Sequence, residues 1–223
     1  MGEKLFRKGL AYGKTCLEVL IDFLFPRKKD ALLFATLNTE DIVKKVHPST
    51  HPEALFDYHD PLIHSLVWHA KYKGDPLAIT HMATLLYDAL YEEIADRLAF
   101  AGGGKALLVS IPSSKERMRY KGFNQVALIA EAIASEDKGQ LFEHPTPLLF
   151  RKKEVGRQTD LKKRTERLKN MKEVFIVNNP TPVKGRIVVL IDDVTTTGAT
   201  LSEARKALEK AKPAHIEVLA FAH

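Results

Sequence analysis

The chain has 223 residues, 45% of them hydrophobic and 28% charged, enough apolar material for one large domain or a core with an added lobe. Twelve glycines and eleven prolines exclude collagen-like, mucin-like and linker classes, and a single cysteine excludes an internal disulfide and any multi-cysteine zinc module. That cysteine usage fits a reducing compartment, so a cytoplasmic protein is expected. The net charge of +6 is unevenly spread: residues 151–172 hold ten Lys/Arg against three Asp/Glu, a basic segment suited to phosphate, pyrophosphate or nucleic acid.

In chain order, the first residues read as an amphipathic helix. The apolar stretch at 17–25 is too short to span a bilayer and carries Glu18 and Asp22, so no membrane insertion is expected. Cys16, in an apolar stretch, reads as core. Asp60-Pro61 and Asp75-Pro76 each put an N-cap acid before a proline suited to the first helical position. The first helix carries Ile63, Leu66, Val67 and Ala70 on one face and stops at Gly74; the second runs from Pro76 to about Leu98. Gly102, Gly103 and Gly104 break the pattern. The expected division is a mostly helical N-terminal lobe over 1–100 and a core over 101–223.

Beyond the glycines, apolar runs at 106–111, 187–191 and 216–221 read as buried strands, with shorter candidates at 147–150 and 174–177. Helices are expected from about Asn124 and over 201–211. Strands alternating with helices predict an α/β fold with a mostly parallel central sheet flanked by helices. In such sheets ligands bind beyond the carboxyl ends of the strands, which directs attention to the loops after Ile111 and Ile191.

The second loop carries the chemistry. Residues 188–200 read Val-Val-Leu-Ile-Asp-Asp-Val-Thr-Thr-Thr-Gly-Ala-Thr. A buried strand delivers Asp192 and Asp193 to its tip, and a turn of small hydroxyl residues follows: Thr195, Thr196, Thr197, Gly198. Thr200 and Glu203 have the spacing of a capping box on the next helix. Free N–H groups at a helix start favour an anion, and glycine permits close backbone approach. The turn suits a phosphate; the two acids suit a polyol or a hard cation.

Residues 188–200 resemble the signature by which type I phosphoribosyltransferases bind 5-phosphoribosyl 1-pyrophosphate (PRPP). Three further blocks resemble the ComF family of these proteins. They are residues 111–125, ending Lys-Gly-Phe-Asn-Gln; residues 64–75, ending Lys-Tyr-Lys-Gly-Asp; and residues 151–170, with Gln158, Leu161, Arg164 and Asn170. The family's four-cysteine zinc module is missing: Leu24-Phe25-Pro26 is followed by Arg27, Lys28 and Lys29, and no zinc is expected.

The resemblance implies the type I phosphoribosyltransferase fold and a Mg²⁺-dependent transfer of 5-phosphoribosyl from PRPP to a nitrogen acceptor, a base or an amine, with release of pyrophosphate. Asp192 and Asp193 would bind the ribose hydroxyls and Mg²⁺, directly or through water. Thr195, Thr196, Thr197, Gly198, Ala199 and Thr200 would bind the 5-phosphate. Lys115, Arg117, Arg119 and Lys121 occupy the pyrophosphate loop, and Arg157, Arg164 and Arg167 are the catalytic candidates in the mobile loop. The N-terminal lobe would be the hood over the acceptor. Trp68, Tyr72 and Phe123 could stack a base, but read first as core. The alternative is a non-catalytic PRPP sensor or DNA-uptake accessory, with single-stranded DNA or a competence-machinery protein as partner. A homodimer is expected by family analogy.

Two weaker patterns lead nowhere. Gly102 to Lys105 superficially looks like a P-loop, but the glycines precede a strand and Ala106 stands where Ser/Thr is needed. The nine histidines show no metal-binding spacing on one helix.

Overall fold

The computed structural model describes residues 34–138, 140–144, 147–152 and 174–223. The basic segment's Arg157, Arg164 and Arg167, together with Cys16 and the N-terminal helix, lie outside the described residues.

Apolar β-branched runs form the centre. Strand β2 (Ala106–Ser110), β6 (Ile187–Val194) and β7 (His215–Ala222) pair in parallel, and β1 (Ala54–Phe56) and β3 (Phe142–Glu143) complete a five-stranded sheet in the order β1-β7-β6-β2-β3. Every ladder in this sheet is parallel. A separate antiparallel pair joins β4 (Leu149–Arg151) to β5 (Phe175–Val177).

Both sheet faces are covered, which is why β6 is buried from Ile187 to Asp193. On one face Leu107, Val109, Val188, Leu190, Val218 and Ala220 pack with Leu201, Ala204 and Leu208 of α6 (Ala199–Glu209) and with the β4–β5 pair. Helix α5 (Gln125–Glu136) packs on β2, β3 and β6, and brings Val126, Ile129, Ala130 and Ile133 into the core. Side chains alternate along a strand, so Asp192 shares the side of Val188 and Leu190, and Asp193 the opposite one.

The two Asp-Pro signals act as expected. Asp60 accepts from the N–H groups of Leu62 and Ile63 and starts α2 (Pro61–Lys73), which ends at Gly74 in the left-handed conformation (φ 59°). Asp75 accepts from Leu77 N–H and starts α3 (Pro76–Phe100). A short α1 (Thr39–Lys45) precedes them, capped by Asn38.

The region before residue 100 is not wholly helical, because β1 joins the main sheet beside β7. Residues 38–223 form one compact unit, and Gly102, Gly103 and Gly104 turn the chain within it, all at positive φ. The segment expected as a loop after β2 contains a seven-residue helix, α4 (Lys115–Lys121). Ser114 caps it and Gly122 ends it at φ 80°, but it buries no residue, so its sequence shows no apolar periodicity.

The order of the strands locates a crevice. From β2 the chain passes through α5 to β3 on one side; from β6 it passes through α6 to β7 on the other. The loops leaving the carboxyl ends of adjacent β2 and β6 therefore diverge, the arrangement that opens a ligand site in a parallel sheet.

Candidate functional site

Asp192 and Asp193 stand at this crevice, 8% and 7% exposed. Neither is left to the apolar strand alone. Asp193 N–H donates to Asp192 Oδ1 (2.9 Å), and Val194 N–H donates to Asp193 Oδ1 (2.9 Å). Gln125, at the first position of α5 and itself 3% exposed, donates its side-chain N–H to Asp193 Oδ2 at 2.7 Å. Burial, together with the adjacent Asp193 charge, pushes the Asp192 carboxyl well above the usual carboxylate range; Lys71 acts in the opposite sense. A hard cation or a pair of hydroxyl donors would relieve that cost, so the donor set fits both Mg²⁺ and a diol.

The turn after β6 is held from behind. Thr195 is buried and donates its N–H to Ala222 O (2.9 Å). Thr196, Thr197, Ala199 and Thr200 are exposed, and Gly198 takes the left-handed conformation (φ 69°) as the N-cap of α6. The capping box expected from Thr200 and Glu203 does not form. The helix starts at Ala199, one residue before Thr200; the N-cap Gly198 has no side chain, Thr197 Oγ1 accepts from Ala199 N–H at a long 3.4 Å, and Glu203 meets Lys206 at 2.8 Å. Thr200 therefore lies inside the first turn, and threonine hydroxyls surround the helix start just after the carboxyl end of β6. Such a start binds an anion through N–H groups and helix dipole together.

The basic residues after β2 divide between faces of α4. Arg117 and Lys121 are four apart and share one face; Lys115 and Arg119 share another. Lys121 is the member tied to the acids. Its Nζ is buried, has no hydrogen-bond acceptor among the described residues, and sits 4.4 Å from the centre of the Tyr72 ring. Burial lowers its proton affinity, Lys71 and Arg117 lower it further, and Asp193 raises it. A buried ammonium with unused donors suits an anionic ligand group. Lys115 and Arg119 are exposed.

Two of the sequence blocks meet here. Besides Lys121 on Tyr72, the Phe123 ring covers Gly74: a Cβ at Gly74 would lie 3.1 Å from Phe123 Cζ. Asn124 Nδ2 donates to Ile111 O (3.1 Å) and fixes the loop to the end of β2. The expectation that Trp68, Tyr72 and Phe123 are core holds for none of them in full: Trp68 and Phe123 are half-buried and Tyr72 is 48% exposed. Tyr72 packs on Trp68 (5.6 Å), while α2 turns Ile63, Leu66, Val67, His69 and Ala70 into the core.

Lys71, Gln125 as a partner of Asp193, and His51, Glu53 and His223 join the site without a signal in the motifs. His51 Nε2 and Glu53 Oε2 would each be 3.8 Å from a Cβ at Gly198, and His223 Nε2 donates to Thr196 O (2.7 Å). Only the pairing of β1 with β7 brings these residues to the turn. A separate open groove of about 620 Å³, lined by Val109, Pro112, Met118, Leu128 and Leu148, shares none of the acids or threonines.

The mostly parallel sheet flanked by helices is the architecture of a phosphoribosyltransferase-type protein, and the phosphoribosyl transferase domain model matches residues 148–223. The competence protein ComFC of Bacillus subtilis is 30% identical over 172 residues, covering 67% of each chain. The DNA utilization protein YhgH of Escherichia coli K12 is 30% identical over 111 residues, 50% of this chain and 46% of that one. A solved structure described as the allosteric regulatory enzyme of purine biosynthesis is 17% identical with a TM-score of 0.42, over 69% of this chain and 30% of that one. The chain belongs to the ComF family of phosphoribosyltransferase-like proteins. No helix among the described residues is long and apolar enough to cross a membrane.

Proposed function

We propose that the protein binds PRPP at the β2–β6 crevice and transfers its 5-phosphoribosyl group to a nitrogen acceptor, releasing pyrophosphate. The observation that carries this reading is a buried acid pair at the end of β6 followed directly by a threonine-lined helix start. Thr195, Thr196, Thr197, Gly198, Ala199 and Thr200 receive the 5-phosphate. Asp192 and Asp193 hold the ribose hydroxyls and are the residues that would hold Mg²⁺, directly or through water. Bound Mg²⁺ would supply neutralisation of the pyrophosphate charge.

In the transfer, the C1–oxygen bond to pyrophosphate breaks and a nitrogen lone pair closes on C1, through a transition state with positive charge at the sugar, as in glycosyl chemistry. Lys121, with Arg117 on the same face of α4, meets the leaving anion, and Lys115 and Arg119 extend the basic field. Arg157, Arg164 and Arg167 complete it from the basic segment. The buried setting of the acids strengthens these interactions. On this reading the N-terminal region, residues 1–100, supplies the acceptor side, with Tyr72 as an exposed ring beside Lys121. The working state is a cytoplasmic homodimer.

A second reading is favoured by the names of the relatives, a competence protein and a DNA utilization protein. In it the same site senses PRPP without turnover, and the basic segments track single-stranded DNA or meet a competence-machinery protein. Pyrophosphate release from PRPP in the presence of candidate bases and amines separates the two readings. The site itself is tested by Asp192→Asn with Asp193→Asn, which should weaken Mg-PRPP binding at least tenfold while the circular dichroism spectrum is kept. Unchanged affinity in a folded variant removes the assignment.

A further inference from the structure

His51 and Glu53 belong to a short loop before β1 that is fastened to the threonine turn from the side. Ser49 Oγ accepts from His51 N–H (3.0 Å), His51 O accepts from Ala54 N–H (3.1 Å), and Glu53 O accepts from Ala220 N–H (2.7 Å). The His51 ring stacks on the His223 ring at 4.5 Å with 23° between planes. Both His51 Nε2 and Glu53 Oε2 face Gly198, 3.8 Å from where a Cβ would stand.

The hydrogen-bond partners fix the ring nitrogens. Glu53 N–H can only donate, so His51 Nδ1 (3.2 Å away) is the acceptor, and in the neutral ring the proton lies on Nε2. Thr196 O can only accept, so His223 Nε2 carries its proton. That bond engages the Thr196 carbonyl, and among the described residues the N–H on His51 Nε2, beside Gly198, has no acceptor. Glu53 places a carboxylate at the same distance, a charge that an incoming phosphate must face.

We propose that His51 is a further ligand of the phosphate held by the turn at 195–200, that His223 positions the turn for it, and that Glu53 is a counter-charge limiting how tightly that phosphate is held. This rests on the PRPP reading above and adds to it a donor from outside the motif. His51 and Glu53 then act with opposite sign on one ligand group, and neither touches the pyrophosphate end.

The test uses the full chain, calorimetric titration, and ribose 5-phosphate and pyrophosphate as separate probes. His51→Ala should weaken ribose 5-phosphate about tenfold, the effect of one lost hydrogen bond to a charged group. His51→Gln, which keeps an N–H donor, should recover most of this. Glu53→Gln should tighten ribose 5-phosphate several-fold, and pyrophosphate affinity should be unchanged throughout. Ribose 5-phosphate affinity unaltered in His51→Ala, or lowered in Glu53→Gln, overturns the inference while leaving the PRPP site standing. Absence of ribose 5-phosphate binding in the unsubstituted protein, with PRPP binding also absent, overturns both.

Discussion

Gln125 links α5 to the acid pair through a buried side-chain hydrogen bond, and replacing it with leucine isolates that link. The side chain is 3% exposed, and its 2.7 Å bond to Asp193 Oδ2 has a carboxylate as acceptor. Hydrogen bonds to charged groups contribute about 1.5–3 kcal/mol. Leucine preserves the volume, so the loss should be close to the bond itself, about 2 kcal/mol. For a domain of this size that corresponds to a fall in Tm of roughly 4–8 °C. A cycle of Gln125→Leu, Asp193→Asn and the double variant, followed by urea unfolding, should give a coupling energy of about 1–2 kcal/mol. Additivity within about 0.5 kcal/mol would refute the claim that Gln125 supports the acid pair through this bond.

The remaining predictions concern the same crevice. Because the folded Asp192 carboxyl is pushed above its ordinary value, its contribution to stability is full below that value and is lost as pH rises through the raised one. Asp192→Asn should therefore be more stable than the parent at neutral pH, with the gap shrinking in acid; an equal gap in urea titrations at both pH values would contradict this. Lys121→Met should weaken pyrophosphate about tenfold without lowering Tm, since it removes a buried ammonium that has no hydrogen-bond acceptor among the described residues; a large drop in Tm would make the residue structural. Gly74→Ala should destabilise by about 1–2 kcal/mol in chemical unfolding, because φ is 59° and the new methyl would meet Phe123 at 3.1 Å. A neutral substitution would show that the junction of the two blocks is loose.

Much of this architecture is legible in the sequence where local chemistry decides it. Asp60-Pro61 and Asp75-Pro76 set their helices because the acid caps and the proline needs no donor. The apolar runs become β2, β6 and β7 because a sheet covered on both faces accepts few polar side chains. Where long-range pairing decides, the signal fades. Ala54-Leu55-Phe56 is too short to announce a strand and becomes one only beside β7. Helix α4 buries no apolar side chain, so its charged residues read as a loop. The Thr200–Glu203 spacing was sufficient for a capping box, but a left-handed Gly198 starts the helix one residue earlier. Asp192 and Asp193 were legible as an acid pair at a strand tip; Gln125, 68 positions away from Asp193, was not visible as their support. His51 and His223 were equally hidden, since only the edge pairing of the sheet brings them together.

PRPP binding is the claim on which the rest depends. Calorimetric titration of the purified protein with PRPP, with and without Mg²⁺, tests it most directly, with ribose 5-phosphate and pyrophosphate as controls. The account predicts saturable binding of PRPP that strengthens with Mg²⁺ and exceeds that of either fragment. Absence of binding by all three would contradict it, and would leave the threonine turn and its acids as a scaffold without the ligand.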